Sequence, residues 1–159
     1  MSLLIRRAAA EDAPESCRVV RESIEELCVQ DHKGDTATLS AWLANKTLKN
    51  FEFWIQSSEL VSIVAELEGR IVGFGLLNLD GTIALLYVSP AARFTGVSKA
   101  ILNAIEQEAV AAGLSELCLE STATALPFYM SAGYRRNSGC APGFGVSSCY
   151  PMSRRLRDE

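Results

Sequence analysis

Val88-Ser89-Pro90-Ala91-Ala92-Arg93-Phe94-Thr95-Gly96-Val97-Ser98-Lys99 joins an apolar run to a helical pattern. Upstream, Ile83 to Val88 reads as a strand closed by Pro90. Downstream, Val97, Ile101, Ala104, Ile105 and Ala109 recur at helical spacing. A helix that starts here presents backbone N–H groups with no internal partner and the positive end of its dipole, which together favour an anion. Gly96 has no Cβ, so a phosphate could approach the backbone closely. Ser98 adds a hydroxyl, and Arg93 and Lys99 add positive charge. The stretch is not a Walker loop, because no Gly-Lys-Ser/Thr ends it, and it is not GxGxxG. A single glycine before a helix also serves as a plain cap, so the segment acquires meaning only from what surrounds it.

Working outward, Val61 to Leu67, Ile71 to Leu79 and Ile83 to Val88 are three strands separated by Glu68-Gly69 and Asp80-Gly81. Glu68-Gly69 turns the first strand and Asp80-Gly81 is a tight-hairpin signal, so the three form an antiparallel meander. Nearer the N-terminus, Leu3 to Arg7 reads as a first strand. Asp12 is placed to cap a helix, with Pro14 in its first turn and Glu15 completing a capping box. Cys17, Val20, Ile24, Leu27 and Cys28 form its buried stripe. Gln30 to Asp35 reads as a loop and Thr36 to Thr47 as a second helix, while Phe51 to Ile55 suits helix or strand. On the C-terminal side, Gly113 caps the long helix. Leu114 to Glu120 is a buried strand, Ala123 to Ala132 a short helix stopped by Gly133, and Tyr134 begins another strand. Asn137 to Gly145 is a loop, and Cys149 to Leu156 the last strand.

The chain has 159 residues, 48% hydrophobic and 21% charged, enough to bury one sizeable core. Its net charge of −4 and the lack of a basic face point away from nucleic acid as a partner. No run approaches a membrane span or a secretory leader, so a cytoplasmic protein without a membrane partner is expected. Five cysteines, Cys17, Cys28, Cys118, Cys140 and Cys149, show no CxxC spacing and suggest neither a disulfide framework nor a metal site.

Several stretches together resemble the GNAT superfamily of acetyltransferases. Arg93-Phe94-Thr95-Gly96-Val97-Ser98 looks like its Arg/Gln-x-x-Gly-x-Gly/Ala signature. Ile5-Arg6-Arg7-Ala8 followed by Asp12 looks like its opening strand and helix, and Glu66 to Val88 like its central hairpins. Phe128-Tyr129-Met130-Ser131-Ala132-Gly133-Tyr134 is similar to its late Phe-Tyr-x-x-x-Gly-Phe motif, and Met152 to Leu156 to its closing strand. These stretches follow the family's order along nearly the whole chain. The resemblance implies an α+β (α/β) fold: one domain over residues 1–159, with a mostly antiparallel mixed sheet of about six to seven strands and about four flanking helices. The departures are Ser98 for glycine or alanine, Thr122 for a common asparagine, and Ala84 where some members place a glutamate base.

The resemblance also implies a chemistry. An acceptor amine attacks the thioester of acetyl-CoA directly, with no covalent enzyme intermediate and no metal. Arg93, Phe94, Thr95, Gly96, Val97, Ser98 and Lys99 would hold the cofactor's pyrophosphate. The backbone of Leu86, Tyr87 and Val88 would hold the pantetheine arm and polarise the thioester carbonyl, work worth about 2.7–4 kcal/mol per donor in other acyl-transfer enzymes. The plain alternative is that these three belong to a paired core strand. Tyr129 matches the family's general acid; its alternative is packing, as for Phe128. Glu26, Glu66 and Glu120 are conceivable bases, though most such glutamates are merely solvated. His32, the only histidine, reads as a surface-loop residue. Trp42, Phe53 and Trp54 would line the acceptor pocket or the core. The acceptor is a small-molecule or peptide amine, and a homodimer would be in keeping with the family. The rival reading is a GNAT-like module that binds or senses acyl-CoA without turnover, which Ala84 supports.

Overall fold

In the computed structural model, residues 2–93, 95–137, 141–143 and 146–156 are described, those of 141–143 and 146–149 by backbone alone. Both turns fold as the sequence requires. β1 (Leu3–Arg7) pairs with β2 (Leu60–Leu67), which turns into β3 (Arg70–Asn78) and then β4 (Thr82–Val88), all antiparallel. Glu68 and Gly69 take left-handed φ values of 52° and 83°, as a tight hairpin demands. After the long helix come β5 (Glu116–Ser121), β6 (Arg135–Arg136), β7 (Ala141–Gly143) and β8 (Val146–Arg155). The strand order is β1-β2-β3-β4-β5-β8-β6, with β7 paired to β8. Among the described residues only β4 and β5 run parallel; every other pairing is antiparallel.

Among the described residues six α-helical segments accompany the sheet, where about four were expected: α1 (Ala13–Leu27), α2 (Val29–His32), α3 (Thr36–Leu43), α4 (Leu48–Gln56), α5 (Val97–Ala111) and α6 (Leu126–Ser131). The surplus has two sources. The presumed loop before Asp35 contains α2, a single turn closed by Lys33 at φ 55°. The ambiguous Phe51–Ile55 run is helical, because the Thr47 hydroxyl caps α4 by accepting from Asn50 N at 3.2 Å. α3 is shorter than read and ends at Leu43. Asp12 does not cap α1. Its carboxylate turns back to Arg6, at 2.7 and 3.1 Å, and to Ala9 N at 2.7 Å. The Arg6 hydrogen bond holds that carboxyl below its usual range.

The sheet is buried on both faces. On one, α1, α3 and α4 pack Val20, Ile24, Trp42 and Phe51 onto Val64, Phe74 and Leu85. On the other, Val97, Ile101 and Ile105 of α5 meet Ile63, Leu77, Ile83 and Leu117. α5 lies close to β3 because Gly73 and Gly75 lack side chains: a Cβ at either would sit 2.6 or 2.7 Å from Ile101. That close seat fixes where α5 begins, beside the end of β4.

Candidate active site

β4 keeps its partner on one side and loses it on the other. Its register with β3 runs to Gly73↔Val88, whereas Thr82↔Cys118 is its one pair with β5. Leu85 faces Leu76 and Ile83 faces Leu77, so Ala84 is an extra residue, and such a bulge bends the strand. Beyond it, β4 and β5 diverge into a cleft of about 640 Å³. Ser89 N donates to Val72 O at 2.7 Å, and antiparallel pairing alternates. The backbone groups of Leu86 and Val88 therefore face the cleft. Their side chains join the α5 core, and that of Tyr87 joins the α1 core.

The loop enters the cleft from one end. Pro90–Ala92 is a 3-10 turn capped by Ser89, whose hydroxyl accepts from Ala91 N at 3.2 Å. The Thr95 hydroxyl donates back to Ala92 O, so Thr95 shapes the turn and does not line the cleft. Gly96 precedes α5 at φ 83°, a conformation that favours glycine. The first bond of α5 runs from Ala100 N to Gly96 O, which leaves the N–H groups of Val97, Ser98 and Lys99 without helical acceptors. Arg93, Gly96, Val97, Ser98 and Lys99 all line the cleft, as do Leu86, Tyr87 and Val88. Phe94 lies outside the described residues.

Tyr129 closes the far wall. Its ring is held edge-on by Phe128 and Tyr134, with centroids 5.1 and 5.6 Å away. It lines both the cleft and a second chamber of about 60 Å³. Burial pushes its phenol above the ordinary value, so the group stays protonated at neutral pH. α6 begins at Leu126, later than expected, because the preceding turn is tied elsewhere. Asp31 of α2 accepts from Ala123 N at 2.6 Å, from Thr124 N at 3.2 Å and from the Thr124 hydroxyl. Thr122, in place of a common asparagine, accepts from Ala125 N at 3.0 Å. The sequence gives no sign of Asp31, whose partners lie some ninety residues away.

The chain matches the acetyltransferase (GNAT) domain family over residues 22–153. It belongs to that family. A GCN5-related N-acetyltransferase from Rhodopseudomonas palustris superposes with TM-score 0.85 at 25% identity, covering 98% of this chain and 96% of that one. The PaiA N-acetyltransferase from Thermoplasma acidophilum, solved in complex with coenzyme A, has TM-score 0.82 at 19% identity and shares the fold, covering 98% and 99%. In sequence, an IAA acetyltransferase from Azospirillum brasilense is 36% identical over 80 residues, 45% of this chain. The chain spans about half the length of that curated relative, 52%.

On this GNAT scaffold the remaining candidates separate. Trp42 and Glu120 line the second chamber together with Ala84 and Tyr87. Glu66 is bound to Arg6 at 2.8 Å, and Glu26 lines neither space. Phe53 is 67% exposed, and Trp54 packs on Phe51 at 4.9 Å, so neither reaches the chamber. His32 is buried, contrary to the loop reading. Its Nδ1 accepts from Gly34 N at 3.0 Å, so Nε2 carries the proton and donates to Ile24 O at 3.0 Å. Burial pushes the Cys28 thiol up to about 12 and raises Cys17, leaving both poor nucleophiles. Cys140 and the side chain of Cys149 lie outside the described residues. Among the described residues no cluster of three His, Cys, Asp or Glu could hold a metal, and no helix is long and apolar enough to cross a membrane. Sequence reasoning missed Lys46, which is fully buried and lines the second chamber.

Proposed function

We propose that this GNAT domain transfers the acetyl group of acetyl-CoA to a primary amine by direct attack. The observation that carries the reading is the cleft between β4 and β5, with the N-terminus of α5 at one end and Tyr129 in its wall. The pyrophosphate is held by the N–H groups of Val97, Ser98 and Lys99 beside Gly96, with Arg93, Phe94 and Thr95 completing the loop. Pantetheine lies along β4 at Leu86, Tyr87 and Val88, and the free backbone donors of Leu86 and Val88 polarise the thioester carbonyl. The amine enters through the second chamber. Its lone pair forms the C–N bond, the C–S bond breaks, and the electrons leave on sulfur. The Tyr129 hydroxyl donates to that thiolate, and water returns the proton that the new amide sheds. Among the three glutamates considered as bases, Glu120 is the one that lines the chamber.

On this reading the protein works in the cytoplasm on a small-molecule or peptide amine, without metal, nucleic acid or membrane, as a monomer or homodimer. Ala84 in place of a glutamate favours the second reading, an acyl-CoA-binding module without turnover. Thiol release from acetyl-CoA against a broad amine panel separates the two. Tight coenzyme A binding with no release above the uncatalysed rate for any amine would favour the module.

A further inference from the structure

α6 carries Tyr129 but has little of its own to fix where it starts. It is six residues long, and its N-cap Ala125 has no side chain that could accept a backbone N–H. So short a helix is marginal without tertiary support. Two side chains outside it supply that support. Asp31 Oδ1 accepts from Ala123 N at 2.6 Å, and Oδ2 accepts from Thr124 N at 3.2 Å and from the Thr124 hydroxyl. Thr122 Oγ1 accepts from Ala125 N at 3.0 Å. Three successive N–H groups are thus satisfied just where the helix begins. Tyr129 hangs directly on this turn, because its N–H donates to Ala125 O at 3.1 Å. The carboxylate in its turn is held by α1. Asp31 N and His32 N both donate to Cys28 O, at 2.9 and 3.1 Å, and the His32 ring is bonded to Ile24 O at 3.0 Å. Ser23, Leu27 and Cys28 line one side of the cofactor cleft, and Thr122, Thr124 and Ala125 line another. Asp31 joins the two, yet it is 8% exposed and itself lines neither the cleft nor the second chamber.

We infer that Asp31 is a positioning residue for Tyr129: its carboxylate sets where α6 starts, and so where the phenol stands relative to the thioester sulfur. The inference rests on the reading of Tyr129 as the general acid. Hydrogen bonds from backbone N–H to a carboxylate are of the stronger, charge-assisted kind, and burial spares them screening by water. Each oxygen takes one of two adjacent N–H groups, so the pair fixes the orientation of the turn as well as its distance. Orientation is what acid catalysis needs, since a misplacement of about 1 Å can cost on the order of 10²-fold in rate. Asp31 touches none of the reacting groups, so any effect on turnover passes through α6. The local alternative is that Asp31 merely secures α2 to the body of the protein. That alternative entails lost stability with no selective loss of turnover.

The test is Asp31→Asn, which keeps the size and one acceptor but replaces the other acceptor with an N–H donor. In thiol release from acetyl-CoA with the best amine of the panel, kcat should fall about tenfold or more. KM for acetyl-CoA and the calorimetric affinity for coenzyme A should stay as they are, because the cofactor is held by β4 and α5. In a Tyr129→Phe background the same substitution should cost nothing further in kcat, since the donor it places is already gone. A readout independent of turnover is the ¹³C ring signal of Tyr129, assigned by its loss in Tyr129→Phe, which should move in Asp31→Asn. If Asp31→Asn does not fold, Thr124→Val, which removes only the hydroxyl donor, carries the same comparisons with a smaller drop expected. The same fold-loss with and without the Tyr129 hydroxyl, or a lower melting temperature with kcat unchanged, would overturn the inference and leave acetyl transfer intact. A wild type that turns over no amine would sink acetyl transfer instead. The ring signal would then decide alone, upholding the positioning if it moves and overturning it if it does not.

Discussion

Tyr129 and Lys46 are both buried beside the second chamber, and they differ in how much of their role the sequence reveals. Tyr129 stands in a recognisable motif, and its ring contacts with Phe128 and Tyr134 survive loss of the hydroxyl. Tyr129→Phe should therefore keep its melting temperature and its affinity for coenzyme A. Turnover should fall about 10²–10⁴-fold, the usual worth of a general acid. Wild-type turnover in that variant would leave Tyr129 a packing residue. Lys46 makes a different prediction. Burial brings its folded titration to about 8, below the ordinary lysine value of 10.5. Between those pH values the unfolded chain binds the proton that the folded chain has shed, so the Lys46 contribution to stability rises with pH. Buried thiols and phenols with raised values oppose this above pH 9, so the comparison must be with Lys46→Met. The variant's stability advantage should be largest below pH 8 and shrink toward pH 10.5 in urea titrations. An advantage independent of pH would mean that the ammonium is not desolvated. Neither Lys46 nor His32 could be placed from the sequence. A polar residue in a loop looks solvated until distant segments, here α1 and the turn before α3, close over it.

At the level of elements, the meander was legible because strand alternation and both hairpin turns agree. The segment from Phe51 to Ile55 was not, since aromatic residues suit either structure and the deciding group, the Thr47 cap, is a single hydroxyl. The phosphate loop was legible in type but not in strain. Nothing lies within 4 Å of a Cβ at Gly96, so a side chain fits there, but φ 83° penalises one. Valine, being β-branched, would mix a backbone cost with the loss of the anion site. Gly96→Ala is the cleaner test. It should cost about 1–2 kcal/mol in stability and weaken coenzyme A binding in calorimetry, the added methyl standing where the phosphate approaches. Unchanged affinity would remove the loop from the cofactor site. Across the sheet, Gly75→Ala would bring its Cβ to 2.7 Å from Ile101 and 2.9 Å from Ile105. Overpacking of this kind costs about 1–3 kcal/mol, seen as a lower urea midpoint at constant slope. A neutral result would mean that α5 rides up without penalty.

Over the whole molecule, the mostly antiparallel mixed sheet with its flanking helices followed from the family resemblance, while the width of the cleft did not. That width depends on one bulge at Ala84, which no local pattern announces. If the cofactor lies along β4, coenzyme A should slow amide exchange at Leu86 and Val88 and leave the β1–β2 ladder unchanged. The same binding should stabilise the fold by about 2.7 kcal/mol at a hundred times the dissociation constant. Protection confined to the surface helices would argue against the cleft as the binding path. The Asp31 carboxylate adds a mechanical consequence. At one corner of the cleft, Cys118 N is joined to Gly81 O at 2.9 Å; at another, α2 grips Ala123 and Thr124 through Asp31. The opening is thus a frame braced at two corners, unlike a pair of jaws on one pivot. A long, thin ligand can be threaded through such a frame lengthwise while its sides stay still, so the rate of entry should follow the ligand's length and flexibility, with little dependence on domain motion.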